Sequence, residues 1–472
     1  MDNPRVPTAT IFLLAGYLIA VAATGLVWRA RAGRDEASYF VADRSLSPLW
    51  AFLGLASLTT GGSTTVALAA YVYLHGLSGL WLDLAGALGL LALGVSIAGR
   101  VRREGAVTLP EIAGRYYGQT ARRVAGVLVL VSEIVWFALL IEATQVVLSA
   151  ALGLEPVPAI VGSTAVFVLY TALGGQFAVV RTDGIQYGLM VLGIPGIALA
   201  FTLARSGGFR RLPAEALAFP TSSTLGAGDI LALLVLIGLP HLVGSDVWGK
   251  LLSCRDEPTA RRAAIGAALS KVVFGGAVAA VALAARAALP AGPAIQTLPR
   301  AVLAFVPAPL DGLVLVCLVA TMHSSADAVL LSAAAVTVRD IAPRAERRFS
   351  PVTAARALAP LYAALGLMLA LVLNRDVLET LKLGYSIFAA GLILPVLAAM
   401  LLPAGAVPTS GAIVAMATGG AVAAVGRFWP EATGRVDPVL AGTAVNLAVL
   451  VAAWSRQRFR RARGPVGQNR AS

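Results

Sequence analysis

The chain has 472 residues, of which 58% are hydrophobic and 13% are charged, and its mean hydropathy is +0.82. This composition excludes a soluble domain and is typical of a single integral membrane domain that spans residues 1–472. The net charge of +13 does not indicate nucleic-acid binding, because the basic residues lie between apolar runs rather than on one face.

Thirteen apolar segments follow one another along the chain, and most are long enough to cross a bilayer as helices. The first is interpreted as a retained helix rather than a signal peptide, because it lacks a strongly basic start and a cleavage pattern. An N-terminus outside and a C-terminus inside the cell place most of the 37 lysines and arginines in inner loops. The approximate spans are 8–28, 46–72, 76–98, 122–152, 156–174, 179–205, 227–254, 261–292, 310–337, 351–374, 378–402, 408–427 and 438–455.

Two of these segments are interrupted by residues that do not favour a helix. The second contains the run LTTGGSTT at 58–65, and the seventh contains GLPHLVGSD at 238–246. Broken backbone survives at membrane depth only where protein buries it or where it lines a cavity. The two breaks therefore supply the candidates for a solute cavity: Thr59, Gly61, Gly62, Ser63, Pro240 and His241.

The spacing of the breaks predicts the architecture. Segments two to six precede the second break and segments seven to eleven follow, and since five is odd, the second block starts on the opposite side of the membrane. This arrangement predicts an all-α membrane protein of about 13 transmembrane helices with a five-plus-five inverted-repeat core. The repeats are residues 46–205 and 227–402, with peripheral helices at 1–30 and 408–455. Residues 456–472 are predicted to form a disordered basic tail on the cytoplasmic side.

The ninth segment carries unusual polarity in its middle, over Thr321–Asp327. Such groups are costly at mid-depth unless they face protein or an aqueous path. The adjacent Ser324 and Ser325 diverge by about 100° around a helix, so both reach one ion that lies between their directions. The alternative is that these hydroxyls pack between helices or bond to the preceding turn.

Five motifs in order resemble the sodium:solute symporter family. They are YFVADRSL at 39–46, Tyr73 with Gly76 and Leu77, YTALGG at 170–175 followed by AVV, Thr182, Asp183 and Gln186, GSDVW at 244–248 through Arg262, and SSAD at 324–327 with Asp340. The resemblance implies the LeuT-like inverted-repeat fold and a sodium ion held between segments two and nine. It assigns backbone carbonyls of Ser57, Thr60 and Thr321, and hydroxyls of Ser324 and Ser325, as ligands.

Several charged residues border the expected ion path. The resemblance makes Asp183 a station for sodium, whereas the plain alternative pairs it with Arg181. Asp327 is expected either to attract sodium on its way out or to pair with a neighbouring helix. Asp246 and Lys250 are candidates for the inner gate, although their spacing also suits a helical ion pair. Five further ionisable residues are expected to pair among themselves: Glu133, Glu142, Asp83, Lys271 and Lys382.

The sequence therefore predicts a sodium-coupled secondary active symporter that imports a small organic solute across the inner (cytoplasmic) membrane by alternating access. Its expected partners are sodium, the solute and lipid, without nucleic acid or an obligate protein. A proton-coupled transporter of the same fold is the alternative, with His241 or Asp327 as the titrating group. The protein is not expected to be an enzyme, because the sequence contains no phosphate loop, nucleophile–base arrangement or metal-ligand cluster. The sequence does not identify which solute is transported.

Overall fold

The structure is a computed structural model that describes residues 8–61, 63–153, 155–342, 350–373 and 377–462. In this part of the chain, eleven helical stretches are long and apolar enough to cross a membrane. The predicted all-helical, multi-pass class is confirmed. The count of thirteen stays a prediction, since the second apolar segment is divided into two helices of 13 residues and the fifth continues into the sixth.

The helices are labelled in chain order. They are α1 (Thr8–Ala32), α2 (Glu36–Val41), α3 (Pro48–Thr60), α4 (Ser63–His75), α5 (Trp81–Val95), α6 (Ala98–Glu104), α7 (Leu109–Leu152), α8 (Pro156–Val191), α9 (Leu199–Ser206), α10 (Ala227–Leu233), α11 (Leu239–Leu242), α12 (Ser245–Leu252), α13 (Glu257–Ala288), α14 (Thr297–Phe305), α15 (Leu310–Val336), α16 (Pro351–Leu373), α17 (Val377–Phe388), α18 (Leu394–Leu401), α19 (Thr409–Phe428) and α20 (Pro438–Ala462).

Both predicted helix breaks are present. The α3 helix ends at Thr60, and Gly61 is extended, with φ −87° and ψ −165°, before α4 starts at Ser63. The second break separates α11 from α12, where Gly244 is also extended. The predicted cavity residue Gly62 lies outside the described residues, as does the side chain of Ser63. The two breaks leave backbone groups outside helical hydrogen bonding at the centre of the bundle.

Two glycines turn the chain sharply inside α7 and α8. Gly118 has φ 82° and Gly175 has φ 53°, in the left-handed region where a Cβ atom is unfavourable. A Cβ at Gly175 would also lie 2.7 Å from the Tyr39 ring. The turn at Gly118 separates a short first section of α7, capped by the Thr108 hydroxyl, from the long membrane-crossing section.

The α15 helix lies at the centre of the bundle. In its most apolar stretch, 94% of the residues are buried, compared with 22% for α1 and 28% for α16. It packs against α7, α8, α3 and α1. A helix that neighbouring helices surround can carry polar side chains that lipid would not accommodate, so its polar residues 321–327 face protein.

Candidate cation site and central cavity

The candidate site lies where the end of α3 meets the middle of α15. The Ser324 hydroxyl donates to the carbonyl of Ser57 at 3.3 Å and to that of Thr321 at 3.0 Å. The Ser325 hydroxyl donates to the carbonyl of Leu58 at 3.3 Å. The structure therefore brings together Ser57, Thr321, Ser324 and the neighbouring Ser325, which are four of the five residues that the sequence assigned to sodium.

Gly61 packs closely against these oxygens. A Cβ atom at this residue would lie 2.7 Å from each of three atoms: the carbonyl oxygens of Ser57 and Thr321 and the hydroxyl oxygen of Ser324. Small hard cations prefer oxygen ligands. The three oxygens are therefore a cluster of the ligand type that such a cation requires, without a charged ligand, and an ion bound here would replace the hydrogen bonds of the Ser324 hydroxyl.

The carbonyls on either side of this cluster have partners of their own. The Thr60 carbonyl accepts the Thr65 hydroxyl at 2.9 Å, and its role as a ligand stays a prediction. The Thr59 carbonyl accepts the Lys271 ammonium at 2.5 Å, and Lys271 forms an ion pair with Asp83 at 2.6 Å. This buried pair satisfies backbone that the helix break leaves open.

Asp183 and Lys250 form a buried ion pair with 2.5 Å between the carboxylate oxygen and the ammonium nitrogen. This corrects two expectations. Arg181, the suggested partner of Asp183, instead places its guanidinium 3.9 Å from the centre of the Trp50 ring. The suggested helical pair of Lys250 with Asp246 is also replaced, and one Asp246 oxygen accepts the Val247 N–H at 2.8 Å.

The ion pair lies close to the candidate site. A Cβ at Gly54, one turn before Ser57 on α3, would lie 3.5 Å from the Asp183 carboxylate. The Thr182 hydroxyl lies 3.5 Å from a carboxylate oxygen of Asp327, which is fully buried. The two acids that the sequence placed on a sodium path are thus neighbours through adjacent residues of α8.

A central cavity opens beside the site. Both helix breaks line it, through Thr59 and Gly61 on one side and Pro240 and His241 on the other. Ser325 lines it as well, so the candidate cation site and the cavity share a wall. The His241 ring nitrogen Nδ1 hydrogen-bonds to the Ile237 carbonyl at 2.8 Å, which orients the ring.

Sequence reasoning missed two residues that line the cavity, the aromatic residues Trp136 on α7 and Tyr385 on α17. Asp246, predicted at the inner gate, lines both this cavity and a second one beside Lys250. The aromatic residues resemble ordinary core residues in the sequence. The position of Trp136 three residues after a membrane-embedded glutamate is the one local signal that could have marked it.

The remaining buried ionisable residues have varied partners. Of the five expected to pair among themselves, Lys271 and Asp83 do so, while Lys382 pairs with Glu379 at 2.7 Å. Glu142 accepts the Thr380 hydroxyl at 3.3 Å. The His323 ring nitrogen Nδ1 hydrogen-bonds to the Tyr17 hydroxyl at 3.0 Å, and Gln186 donates to the same hydroxyl.

Comparison with known proteins adds to this geometry. A sequence model of the sodium:solute symporter family matches residues 39–419. The sodium/proline symporter of Salmonella typhimurium is 24% identical over 257 residues, covering 53% of this chain and 48% of that protein. The high-affinity choline transporter 1 of Caenorhabditis elegans is 27% identical over 165 residues, covering 35% and 29%. The chain thus spans about half or less of the length of these relatives.

A solved structure has a similar fold along nearly the whole chain. It is a Na⁺-coupled sialic acid symporter in a substrate-bound outward-open state, with a TM-score of 0.81 and 17% identity. The similarity covers 96% of this chain and 98% of that one. At this identity the likeness shows a shared fold.

Proposed function

The chain belongs to the sodium:solute symporter family, and we propose that it is a sodium-coupled symporter that imports a small organic solute through the cytoplasmic membrane. The family is one of transporters, not enzymes. The observation that carries the proposal is the cluster of two carbonyl oxygens and one hydroxyl, from α3 and α15, that surrounds Gly61. The remaining proposed ligands are Thr60, which precedes Gly61, and Ser325, which follows Ser324.

Sodium suits this cluster of oxygens because the proposed ligands are uncharged carbonyl and hydroxyl groups. Carbonyl and hydroxyl dipoles replace the hydration of the ion without burying a full negative charge. Ser57, Thr321 and Ser324 also offer no group that gains or loses a proton near neutral pH, which favours sodium over a proton as the coupling ion. Because the ligands come from two helices, the bound ion stabilises the arrangement in which α3 and α15 are in contact.

The shared wall explains how the ion and the solute are coupled. Gly61 and Ser325 both line the cavity, and the Ser325 hydroxyl donates to the Leu58 carbonyl near the end of α3. An ion that fixes the end of α3 thereby fixes one wall of the solute cavity. Transport follows when the two breaks change their exposure from one side of the membrane to the other.

Asp327 and Asp183 extend this proposal to the release of sodium. Asp327 makes the surroundings of α15 beyond Ser325 more negative, which favours movement of a cation in that direction. Lys250 neutralises Asp183, so Asp183 attracts sodium only when the ion pair separates. Asp246 and Lys250 would then act together at the inner gate.

Equilibrium binding of ²²Na⁺ to the purified protein tests the site without knowledge of the solute. The double variant Ser324→Ala/Ser325→Ala is expected to bind sodium at least about tenfold more weakly, since losing a hydrogen-bonding group to a charge costs about 1.5–3 kcal/mol. Ser132→Ala is the matched control, because it removes another buried hydroxyl from a membrane-crossing helix. Sodium affinity that is equal in all three proteins would reject the site.

A further inference from the structure

One wall of the central cavity is both aromatic and acidic. Trp136 and Tyr385 lie with their ring centres 4.7 Å apart and both line the cavity. Asp246, at the start of α12, lines the same cavity. The three residues come from α7, α17 and α12, so the helix packing rather than a local motif brings them together.

The polar groups of this wall are incompletely satisfied. Trp136 is 6% exposed, and its indole N–H has no hydrogen-bond partner among the described residues. A buried donor without a partner is unfavourable by about 1–3 kcal/mol, so a ligand that offers an oxygen acceptor gains that contact. One Asp246 oxygen accepts the Val247 N–H, which leaves the other oxygen with its lone pairs for a ligand.

A second carboxyl group lies near this wall. Glu133 is fully buried on α7, one turn before Trp136, and its carboxyl group lies within reach of the Ser332 side chain. Glu133 and Asp246 interact electrostatically with each other and with Tyr385. A cation bound beside these two carboxyl groups stabilises their ionised forms, so this side of the cavity favours a positively charged ligand over a neutral one.

The nearby lysines are already engaged elsewhere. Lys250 is paired with Asp183 at 2.5 Å. Lys271 is paired with Asp83 at 2.6 Å and also donates to the Thr59 carbonyl. Among the described side chains, neither lysine forms an ion pair with Asp246 or Glu133. A cationic solute at Asp246 therefore meets no competing ion pair.

We propose that the cavity binds a solute that carries a positively charged ammonium group and an oxygen acceptor. Asp246 supplies the countercharge, and the faces of Trp136 and Tyr385 hold the ammonium group by cation–π attraction. The Trp136 indole N–H donates to the oxygen of the solute. Glu133, buried one turn before Trp136 on α7, adds negative electrostatic potential. This assignment rests on the proposed symport function and names the class of its solute.

Other solute classes fit this wall less well. An uncharged sugar or polyol would satisfy the indole N–H but would gain no charge attraction from Asp246. A carboxylate without an ammonium group would place a negative charge beside Asp246. An ammonium-bearing alcohol or amino acid meets both requirements, because its charge and its oxygen are separated by two or three bonds.

The decisive measurement compares cations with neutral molecules of the same shape. Choline and ethanolamine are paired with their carbon analogues, 3,3-dimethylbutan-1-ol and propan-1-ol, and galactose and acetate represent the other classes. Ligand-induced changes in melting temperature are recorded for the wild-type protein in sodium and in potassium buffer. We expect stabilisation by at least one ammonium compound in sodium, and at least about tenfold weaker binding of its neutral analogue. Equal binding of a cation and its analogue, ligands found only among galactose and acetate, or no ligand in the panel, would overturn the proposal.

Three variants test whether the ammonium compound binds beside Asp246 and Trp136. Asp246→Asn is expected to weaken binding of the stabilising ammonium compound at least about tenfold, and Trp136→Leu to weaken it similarly, whereas Trp136→Phe retains part of the affinity. Glu379→Gln and Trp454→Phe are the matched controls, because both side chains are partly exposed and lie outside the cavity lining. Binding that is unchanged in Asp246→Asn would also contradict the assignment.

Binding of ²²Na⁺ by the same preparations separates the two levels of the account. Sodium binding that persists while every ammonium compound fails rejects the solute class and leaves sodium-coupled symport standing. Loss of sodium binding by the wild-type protein rejects the proposed function itself. If Asp246→Asn does not fold, the comparison of cation and carbon analogue on the wild-type protein still decides.

Discussion

At the residue scale, Gly61 shows how a missing side chain defines a site. Its backbone angles are open to any residue, so the requirement for glycine comes from space rather than from φ. The three oxygens that surround its missing Cβ belong to residues that the sequence had assigned to sodium. The family resemblance supplied those residues, whereas Gly61 itself was expected only in the solute cavity.

Gly61→Ala is expected to abolish measurable sodium binding and to lower the melting temperature. The added methyl group would lie 2.7 Å from three oxygens, two of them backbone carbonyls, so the proposed ligands must shift. Gly188→Ala is the control, because nothing lies within 4 Å of a Cβ at that position in α8. Scintillation-proximity binding of ²²Na⁺ and size-exclusion chromatography give the two readouts. A folded Gly61→Ala protein with wild-type sodium affinity would show that the ion binds elsewhere.

The ion pair of Asp183 and Lys250 was not predicted, because the two residues lie far apart in the sequence. Arg181 is two positions from Asp183 and was the natural candidate for a partner, whereas Lys250 lies on another helix. In a helix bundle the partner is set by which faces pack, and Arg181 faces two tryptophan rings instead. A single sequence does not show which helix faces pack against each other.

Lys250→Met is expected to destabilise the protein strongly, by about 3–5 kcal/mol, because it leaves Asp183 charged and buried without a partner. The double variant Asp183→Asn/Lys250→Met should recover most of that loss, since neither charge then remains. Thermal denaturation in detergent, monitored for the wild type, both single variants and the double variant, measures the coupling. Single variants as stable as the wild type would contradict a buried ion pair.

At the element scale, the helix breaks were the most predictable feature. Threonine and glycine at 58–65, and glycine and proline at 238–246, disfavour a continuous helix wherever they occur. The structure interrupts both segments in those stretches. The sequence did not predict the π-helical turns at Leu192–Ala198 and Leu234–Gly238, because such turns depend on how neighbouring helices pack.

Arg44 ties these elements together at the start of the first broken helix. Its guanidinium donates to the Leu252 carbonyl at 3.2 Å and to the Gly105 carbonyl at 2.7 Å, joining the segment before α3 to the ends of α12 and α6. The backbone N–H of Leu46 also donates to the Ser253 carbonyl at 3.1 Å. Arg44 has φ 53°, and the cost of this left-handed conformation is offset by these contacts.

Arg44→Ala is therefore expected to loosen this junction and to expose Cys254, which is now buried beside it. In a Cys317→Ser background, maleimide labelling of Cys254 should become faster and the melting temperature should fall. Arg458→Ala, which removes an arginine near the end of α20, is the control. Labelling of Cys254 at the wild-type rate would mean that Arg44 does not hold the junction.

At the scale of the whole molecule, composition and apolar spacing were sufficient for the class of protein. Long apolar runs have few structural options in lipid, so a multi-pass helical bundle follows directly from the sequence. The same bundle is shared with a transporter structure at 17% identity, which shows that the fold tolerates wide divergence of side chains. The inverted repeat, the positions of the termini and the cytoplasmic membrane location remain predictions from segment counting and loop charge.

The central cavity is where sequence reasoning was least informative. Trp136, Tyr385 and Asp246 lie on three helices that are far apart in the sequence, and each residue alone resembles an ordinary buried or interfacial one. Only the packing of these three helices brings the residues together around one cavity. The ion site was easier to anticipate, because short, adjacent motifs carry most of it.

Uptake into proteoliposomes tests the central claim of sodium coupling most directly. The purified wild-type protein and the Ser324→Ala/Ser325→Ala variant are reconstituted, and accumulation of the radiolabelled solute that most stabilises the wild type is followed under an inward sodium gradient or a proton gradient without sodium. We expect the wild-type protein to accumulate the radiolabelled solute only under the sodium gradient, and we expect the double variant to lose this accumulation. Uptake driven by the proton gradient alone, or sodium dependence that is undiminished in the double variant, would contradict it.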